Sequence, residues 1–448
     1  MTIGIIGLGF VGLTFAVAAA KQGFIVYGVE KNNYIHKCLS ENRAHFFEPG
    51  LDRLIEKHMN HNLFCVGKFP EDVKFDAFVI TVGTPLQAGK KEPDFGYIVS
   101  ALDAIKHIYT GVELIILRST VSVGTTRSVV LPALEKMVGK DNAVVPMVSM
   151  CPERTVEGKA IEELVTLPQI ISGNSNEALE KAQGIFRRIT PYVVEAGSLE
   201  EAELVKLYCN VYRDMDFALA NVLNSAAQTF GIDGTSVIKN ANLGYNRSNI
   251  AGPGFVAGPC LEKDAYLLTS NMKDCKSRDF IRSARNFNES VEDEIVLWVE
   301  HEIGKPSPDK KILLTGMAFK GVPETSDLRG SSSVNIAKKL KKKGYVLRLH
   351  DFIAGDKDMR NLGLGEVFHN LNEACAGICA MLVLNNCRQY HSFSFSQDIY
   401  GAKILDVWDC CDELKEKGYT PYAPTLEKLT KLLSGNFTFF NKSIFRQF

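Results

Sequence analysis

The chain has almost no net charge. Its 51 Lys and Arg oppose 52 Asp and Glu, which leaves −1 and no overall basic footprint for nucleic acid. It also lacks a basic segment ahead of its apolar start. The first twenty residues hold no charged side chain, a pattern shared with signal and membrane segments, but Gly7, Gly9 and Gly12 interrupt the run and no basic n-region precedes it. No membrane partner is expected, and the cytoplasm is the expected compartment. There is no CxxC and no Cys/His cluster at zinc-ligand spacing, so the eleven cysteines read as reduced thiols and not as a disulfide framework. His58 and His61 form an isolated HxxH, read as a solvated helix face, and no metal is expected. No repeat of solenoid length is present.

What is there is the composition of a soluble globular protein, 46% hydrophobic and 23% charged, over 448 residues, too many for one core. Short β-rich runs at Thr2–Ile6, 24–30, 77–82, 113–117 and 143–148 alternate with helical patterns. This rhythm predicts a parallel, doubly wound sheet. From Leu199 to about Gln228 one long helix is expected, with Leu204, Leu207, Val211, Met215 and Leu219 at helical spacing. More helix runs to about Ile303, and Gly304–Asp309 reads as a linker. A second α/β block follows, with strands at 311–315, 345–349, 380–384 and 403–407 and a helix at 333–343. The lysine run Lys338–Lys343 reads as a solvated helix face. The tail from Ser434, rich in Phe and Asn, is open between packing on a neighbour and disorder. The expected fold is thus α/β, with two Rossmann-like doubly wound domains (1–197 and 304–448) joined by a central helical domain (198–303).

Gly7-Leu8-Gly9-Phe10-Val11-Gly12 is a GxGxxG placed between an apolar strand and an apolar helix. In that context Gly7 allows the tight turn, Gly9 lets a pyrophosphate approach the backbone, and Gly12 lets helix and strand pack closely. Phosphates then meet the positive end of the helix. The second strand ends in Glu30, eighteen residues beyond Gly12. A carboxylate there accepts hydrogen bonds from a ribose diol and repels a 2′-phosphate, which favours NAD over NADP. Lys31 beside it weakens that preference slightly.

Gly252-Pro253-Gly254-Phe255-Val256-Ala257-Gly258-Pro259-Cys260 is a glycine-rich loop ending in a cysteine, followed by Lys263 and Asp264. A thiol with a positive neighbour can be an activated nucleophile, although one cysteine among eleven is more often a small buried hydrophobe. On the long helix Lys206 and Asn210 stand i, i+4 and share a face. An ammonium and an amide there could stabilise a developing oxyanion, though such pairs are also common on solvated helices.

These residues, with FFEPGLDRL around Pro49, VGTPL at Val82–Leu86, LRSTVSVGTT at Leu117–Thr126, CPERTVEGKA at Cys151–Ala160, AELVKLYCNVYRD at Ala202–Asp214, GPCLEKD at Gly258–Asp264 and GMAFKGVPETSDLRGSSS at Gly316–Ser333, occur in one order. In that order the chain resembles the UDP-glucose/GDP-mannose dehydrogenase family over essentially its whole length. The resemblance implies an NAD-dependent oxidation of the C6 hydroxymethyl of a UDP-sugar to a carboxylate, through a thiohemiacetal and a thioester on Cys260. It implies a homodimer built on the long helix. It places Lys206, Asn210 and Asp264 around the reacting carbon, Thr120 on a catalytic water, and Glu153 as a general base in thioester hydrolysis. It adds Phe10, Val11, Lys31, Thr84, Thr120, Lys263 and Arg329 to the NAD site. It adds Glu153, Arg154, Lys206, Asn210, Gly258, Phe319 and Lys320 to the sugar-nucleotide site, with Arg247 as a charge contributed across the dimer.

The run Tyr212–Asn221 resembles the branch acting on UDP-N-acetylhexosamines, which favours UDP-N-acetylmannosamine or UDP-N-acetylglucosamine. CLEKD is closer to the UDP-glucose style. The chain departs from the family at Ala257, where a Gly-Gly pair is frequent, at Glu30, where Asp is more usual, and at ILDVWDC (404–410), in place of an IIDTR pattern. Two other readings stay open: a one-step dehydrogenase that ignores Cys260, and a non-catalytic dinucleotide-binding regulator.

Overall fold

A computed structural model describes residues 1–139, 144–395, 399, 401–408 and 410–411. The tail from Ser434 lies outside the described residues. The chain divides into two compact units. The first comprises Met1–Tyr212, Lys263–Arg282 and Pro323–Ser326; the second comprises Arg213–Glu262, Ser283–Val322 and the described residues from Asp327 on.

The first unit is built on six parallel strands, β1 (Thr2–Ile6), β2 (Ile25–Val29), β3 (Leu63–Val66), β4 (Ala77–Ile80), β5 (Leu114–Leu117) and β6 (Met147–Met150), in the order β3-β2-β1-β4-β5-β6. Both faces are covered, so the strands read as unbroken apolar runs. Alternate residues feed two cores. Ala77, Val79, Leu114 and Ile116 pack on one side with the helix Phe10–Lys21. Phe78, Ile80, Ile115 and Leu117 pack on the other with the helix Gly96–Ile105. The strand order reverses between β1 and β4, where α/β sheets open a crevice at their carboxyl ends. A short parallel pair, β7 (Gln169–Ile171) and β8 (Val193–Glu195), flanks this sheet in the sequence after β6.

The second unit repeats the plan with β9 (Lys311–Thr315), β10 (Val346–His350), β11 (Glu366–Val367), β12 (Ile378–Val383) and β13 (Lys403–Asp406), all parallel, in the order β11-β10-β9-β12-β13. Its switch point lies between β9 and β12, so the loops Gly316–Lys320 and Leu384–Asn386 follow the diverging strands. The same alternation holds: Ile312, Leu314, Ala380 and Leu382 face one core, Leu313, Met381 and Val383 the other.

The sequence expectations need four corrections. The strand expected at 143–148 runs Met147–Met150. Strands β3, β7, β8 and β11 were not anticipated; each has two to four residues, too short to show a period. The long helix spans Leu199–Thr229 as expected; of its apolar stripe Leu207 and Val211 are buried and Leu204 and Met215 half-buried. Leu219 is 51% exposed, and Tyr208 and Tyr212 are exposed beside it. Beside Leu207 and Val211 the buried side also carries a polar stripe, Glu203, Lys206, Asn210, Asp214 and Asn221, spaced three, four, four and seven. Lys206 and Asn210 are therefore not on a solvated face. Finally, His58 is buried and its Nδ1 lies 2.9 Å from Asn62 Oδ1, while His61 is exposed beyond the end of the helix Leu51–His58, so the two do not share one solvated helix face. Among the described residues no helix is long and apolar enough to cross a membrane.

Candidate active site

The glycine turn of the first unit leaves β1 and enters the helix Phe10–Lys21 at Gly9. Gly7 has φ +89°, a conformation glycine adopts without strain. A Cβ on Gly12 would lie 1.9 Å from the Gly7 carbonyl oxygen and 2.6 Å from Thr81 Oγ1, so only glycine lets helix and turn approach this closely. A Cβ on Gly9 would meet nothing within 4 Å. That combination, a closed floor and an open approach at a helix N-terminus, suits a pyrophosphate. Phe10 and Val11 form the first helical residues, and the Phe10 ring packs 5.0 Å from Phe46. Glu30 follows β2 and receives the backbone N–H groups of Leu8 (2.8 Å), Lys31 (2.7 Å) and Asn32 (2.9 Å). These bonds fix the carboxylate beside the turn; Oε1 accepts two of them and Oε2 one, so Oε2 retains acceptor capacity for a ribose hydroxyl. The Lys31 ammonium is held on Ser100 Oγ at 2.7 Å. The residues present fit a dinucleotide.

A polar cluster of the same unit joins the long helix to the helix Leu261–Thr269. Asn210 Nδ2 donates to Asp264 Oδ2 at 2.5 Å, and Lys263 Nζ pairs with Asp264 Oδ1 at 2.9 Å. Lys263 also reaches Thr84 Oγ1 at 3.3 Å, and that hydroxyl donates to the Thr120 carbonyl at 2.5 Å. Asp264, Asn210, Thr84, Lys263 and the Thr120 backbone thus form one chain of bonds, linking residues expected around the reacting carbon (Asn210, Asp264) with residues expected at the NAD site (Thr84, Lys263). Glu153 is ion-paired with Arg118, and its other oxygen receives the N–H groups of Arg154 and Thr155 at 2.8 Å each. Burial pushes the Glu153 carboxyl up. The Arg118 guanidinium, the Thr155 amide and the nearby Lys206 ammonium outweigh it and hold the group below the ordinary carboxylate range. Arg154 turns its guanidinium to the Pro168 carbonyl.

Two residues of this cluster escaped the sequence reading. Arg118 is 1% exposed, beneath Glu153 and over the Phe15 and Phe186 rings at 4.6 and 5.2 Å. Its signal was a lone charge directly after the apolar run of β5. Glu203 is buried and accepts from Gly124 N (2.5 Å), Thr126 N (2.8 Å) and Thr126 Oγ1 (2.6 Å). It pins the segment after Thr120, whose residues Thr126–Val130 make a π-helical turn. Its signal was a carboxylate in phase with Lys206 and Asn210.

In the second unit the loop 251–260 runs into the N-terminus of the helix Leu261–Thr269. Cys260 is exposed, as is Cys275, whereas most of the other thiols are buried and none of the eleven is in a disulfide. Burial pushes Cys65 up to about 11 and Cys151 and Cys375 to about 12, so these stay thiols at neutral pH. Gly258, at φ +100°, packs flat on the Phe319 ring; a Cβ there would lie 2.7 Å from it. Gly258 N also donates to Gly330 O at 2.7 Å. Phe319 and Gly258, both expected at the sugar-nucleotide site, are thereby brought together. Lys320 Nζ lies 5.3 Å from the Phe319 centroid.

The remaining expected residues stand elsewhere on this unit. Arg329 is exposed and paired with Asp327 at 2.6 Å. Arg247 is exposed, its guanidinium 4.8 Å from the Tyr245 centroid. Among the described residues, Asp406, Cys410 and Cys411 are grouped closely enough to resemble metal ligands. Both Asp406 oxygens are occupied by the N–H groups of Trp408, Cys410 and Cys411 (3.2, 2.8 and 2.8 Å), the arrangement of a capped turn.

Residues 1–190, 200–290 and 313–413 match the NAD binding, central and UDP binding domains of the UDP-glucose/GDP-mannose dehydrogenase family. A UDP-N-acetyl-D-mannosamine dehydrogenase from Pyrococcus horikoshii is 32% identical over 366 residues, 80% of this chain and 85% of that protein. One from Methanocaldococcus jannaschii is 31% identical over 433 residues, 93% and 95% of the two chains. The solved structure of a UDP-D-ManNAc dehydrogenase from P. horikoshii superposes with a TM-score of 0.81 at 28% identity, covering 92% of this chain and 96% of that one.

Proposed function

The chain belongs to the UDP-glucose/GDP-mannose dehydrogenase family, as an NAD-dependent nucleotide-sugar dehydrogenase, and from that premise we propose that it oxidises the C6 hydroxymethyl of a UDP-N-acetylhexosamine to a carboxylate through a covalent bond to Cys260. The observation that carries the reading is the helix Leu261–Thr269. It carries Asp264, bonded to Asn210, in its first turn, and the exposed Cys260 stands immediately before it. A sulfur at the positive end of a helix is favoured as thiolate.

NAD supplies the hydride acceptor, two equivalents per sugar. The chain's own groups do the rest. After the first oxidation the Cys260 sulfur bonds the aldehyde carbon and the aldehyde oxygen takes a proton, giving a thiohemiacetal. Loss of the remaining C6 hydride and the hydroxyl proton leaves a thioester. Water then adds to the thioester carbon and the C–S bond breaks, releasing the carboxylate and restoring the thiol. Lys206 and Asn210 stabilise the oxygen on C6, Asp264 exchanges its proton, and Thr120 holds the water. Glu153, ionised and held by Arg118, takes the proton of that water. Phe319 and Lys320 line the sugar-nucleotide pocket, with Arg154, Arg247 and Arg329 as further charges. Holding the aldehyde on sulfur keeps it from escaping and makes the second oxidation a hydride transfer as well.

UDP-N-acetylmannosamine is the favoured sugar. The Tyr212–Asn221 run supports it, and the two curated relatives described above carry that activity in their names. A homodimer through the long helix is also proposed. Tyr208, Tyr212, Leu219 and Val222 are 60, 67, 51 and 42% exposed and fall on one face, opposite the buried polar stripe.

The test is NADH released per sugar from a panel of UDP-N-acetylmannosamine, UDP-N-acetylglucosamine, UDP-glucose and GDP-mannose, with wild type and Cys260→Ser. Two NADH per UDP-N-acetylmannosamine, and at least a hundredfold loss of turnover in the variant, are expected. One NADH per sugar, indifferent to Cys260→Ser, would refute the covalent route. A preference for UDP-glucose would reassign the sugar and leave the route intact.

A further inference from the structure

Four polar side chains of the second unit are buried beneath the loop that ends in Cys260, and the chemistry above uses none of them. Asp214 and Asn221 lie seven residues apart on the long helix; Arg285 and Asn288 lie three apart on the helix Lys276–Ile303. All four are at most 7% exposed. Arg285 Nη1 pairs with Asp214 Oδ1 at 2.7 Å. The same guanidinium donates to two loop carbonyls, Leu261 O through Nη1 and Val256 O through Nη2, at 3.3 Å each. Asn288 Nδ2 donates to the Asp214 carbonyl (2.8 Å) and carboxylate (2.9 Å). Its Oδ1 accepts from Asn221 Nδ2 at 3.0 Å. Asn221 then exchanges two bonds with Gly254, giving Nδ2–H to the carbonyl at 2.9 Å and accepting the N–H at 2.8 Å.

The bonded loop atoms belong to residues 254, 256 and 261, so the network brackets Cys260 on both sides. A pair of apolar side chains would fill the space of Asp214 and Arg285 without removing two charges from water, and such replacements often hold a fold as well or better. What they cannot do is donate to the carbonyls of residues 256 and 261. The directional bonds to the loop are therefore what the ion pair adds. We infer that Arg285, oriented by Asp214 and Asn288, is a positioning residue that fixes the loop so that the Cys260 sulfur is presented for attack. This deepens the covalent reading above and rests on it.

The experiment compares wild type with Arg285→Met, Arg285→Lys and the double variant Asp214→Leu/Arg285→Met. Each is measured for thermal stability, NAD affinity, kcat and KM for the UDP-sugar, and the rate of iodoacetamide alkylation at Cys260, followed by mass spectrometry of its peptide. The double variant removes both charges together and so guards against a simple failure to fold. Expected is a double variant that melts near wild type and binds NAD within about twofold. Its kcat falls at least about tenfold with little change in KM, and its alkylation rate at Cys260 changes by a factor of about three or more. Arg285→Lys, which keeps the charge but not the fork, should share the kcat loss. A double variant with wild-type kcat and a wild-type alkylation rate would overturn the inference and leave the pair as packing alone. Should wild type release no NADH from any UDP-sugar, the covalent reading fails by itself. The alkylation rates still decide whether Arg285 sets the presentation of the sulfur.

Discussion

The two glycines of the nucleotide turn should respond to the same methyl group in opposite ways. At Gly12 the added carbon would sit 1.9 Å from the Gly7 oxygen and 2.6 Å from Thr81 Oγ1, and the first obstacle is backbone, which cannot rotate away. The helix Phe10–Lys21 must lift from the turn. It buries Leu13, Phe15, Ala16 and Val17 in the core, so lifting disturbs that packing. Overpacking of this kind costs about 1–3 kcal/mol. At about 2–4 °C per kcal/mol for a domain of this size, the first unit should melt several degrees lower. At Gly9 the methyl meets nothing of the protein within 4 Å, and the backbone (φ −64°, ψ −166°) is open to alanine. The stability cost there is the loss of a modest helix cap, about half a kcal/mol. The methyl would stand instead where a phosphate must approach, and at least a tenfold loss of NAD affinity, about 1.4 kcal/mol, is expected. Calorimetry and NAD titration of Gly9→Ala and Gly12→Ala separate the two effects. Equal melting of both variants, or unimpaired NAD binding by Gly9→Ala, would refute this account of the turn.

Two further outcomes follow from the buried charges. Glu153→Gln leaves Arg118 without its counter-charge in an interior where that residue is 1% exposed, and about 3–5 kcal/mol of stability should be lost from the first unit, seen as an earlier calorimetric transition. The folded Glu153 carboxyl lies below the ordinary range, so its contribution is present above about pH 4.5 and is lost as pH falls below that; Glu153→Gln should flatten this acid limb. His350 behaves as a buried neutral base: burial pushes it down to about 4. Between about pH 6.5 and 4 the unfolded chain binds a proton that the folded chain does not. Stability of the second unit should therefore fall on acidification by at most about 3 kcal/mol. Both tryptophans, Trp298 and Trp408, belong to that unit, so urea melts followed by their fluorescence at pH 7.5 and 5 report it alone. His350→Gln should lose the dependence, and a pH-independent wild type would refute the assignment.

Much of the fold could be read from the sequence because the strands are apolar on both faces and the breakers are strong. The first strand, the long helix and the strand Lys311–Thr315 were placed to within a residue. The short strands were missed because two to four residues cannot display a period. The long helix was legible in its extent, but its inward polar residues were legible only in part. A helix that packs on a hydrophobic core turns an apolar stripe inward, with polar residues on the opposite face. Here Glu203, Lys206, Asn210, Asp214 and Asn221 turn inward beside Leu207 and Val211, each with a named partner or an adjoining charge, while Tyr208, Tyr212 and Leu219 turn out. The cue was present: polar residues at spacings of three, four, four and seven mark a helix face as surely as leucines do. The glycine turn and Glu30 were legible because each glycine has a backbone task. Arg118 and Arg285 were not, since a charge beside an apolar run carries no mark of the partner that will neutralise it.

Two of the three family departures noted in the sequence, Ala257 and ILDVWDC, bear on the same loop within the second unit. ILDVWDC, which replaces an IIDTR pattern, places Trp408 so that its indole Nε1 donates to Leu384 O at 2.9 Å and its ring covers Gly254. A Cβ on Gly254, at φ +155°, would lie 2.7 Å from that ring. Gly254 is the residue Asn221 grips through both of its backbone polar groups. The opening of the cysteine loop is thus held between an amide below and an indole above. Four residues on, Gly258 is pressed on Phe319, and Ala257 between these two clamps is half-buried. The close approaches of the loop's glycines fall at 254 and 258, on either side of the alanine at 257. The residue that closes the first of them comes from the same C-terminal run that departs from the family pattern. The two departures read separately as losses of the family signature. Together they describe one alternative way of fixing the backbone that leads to Cys260.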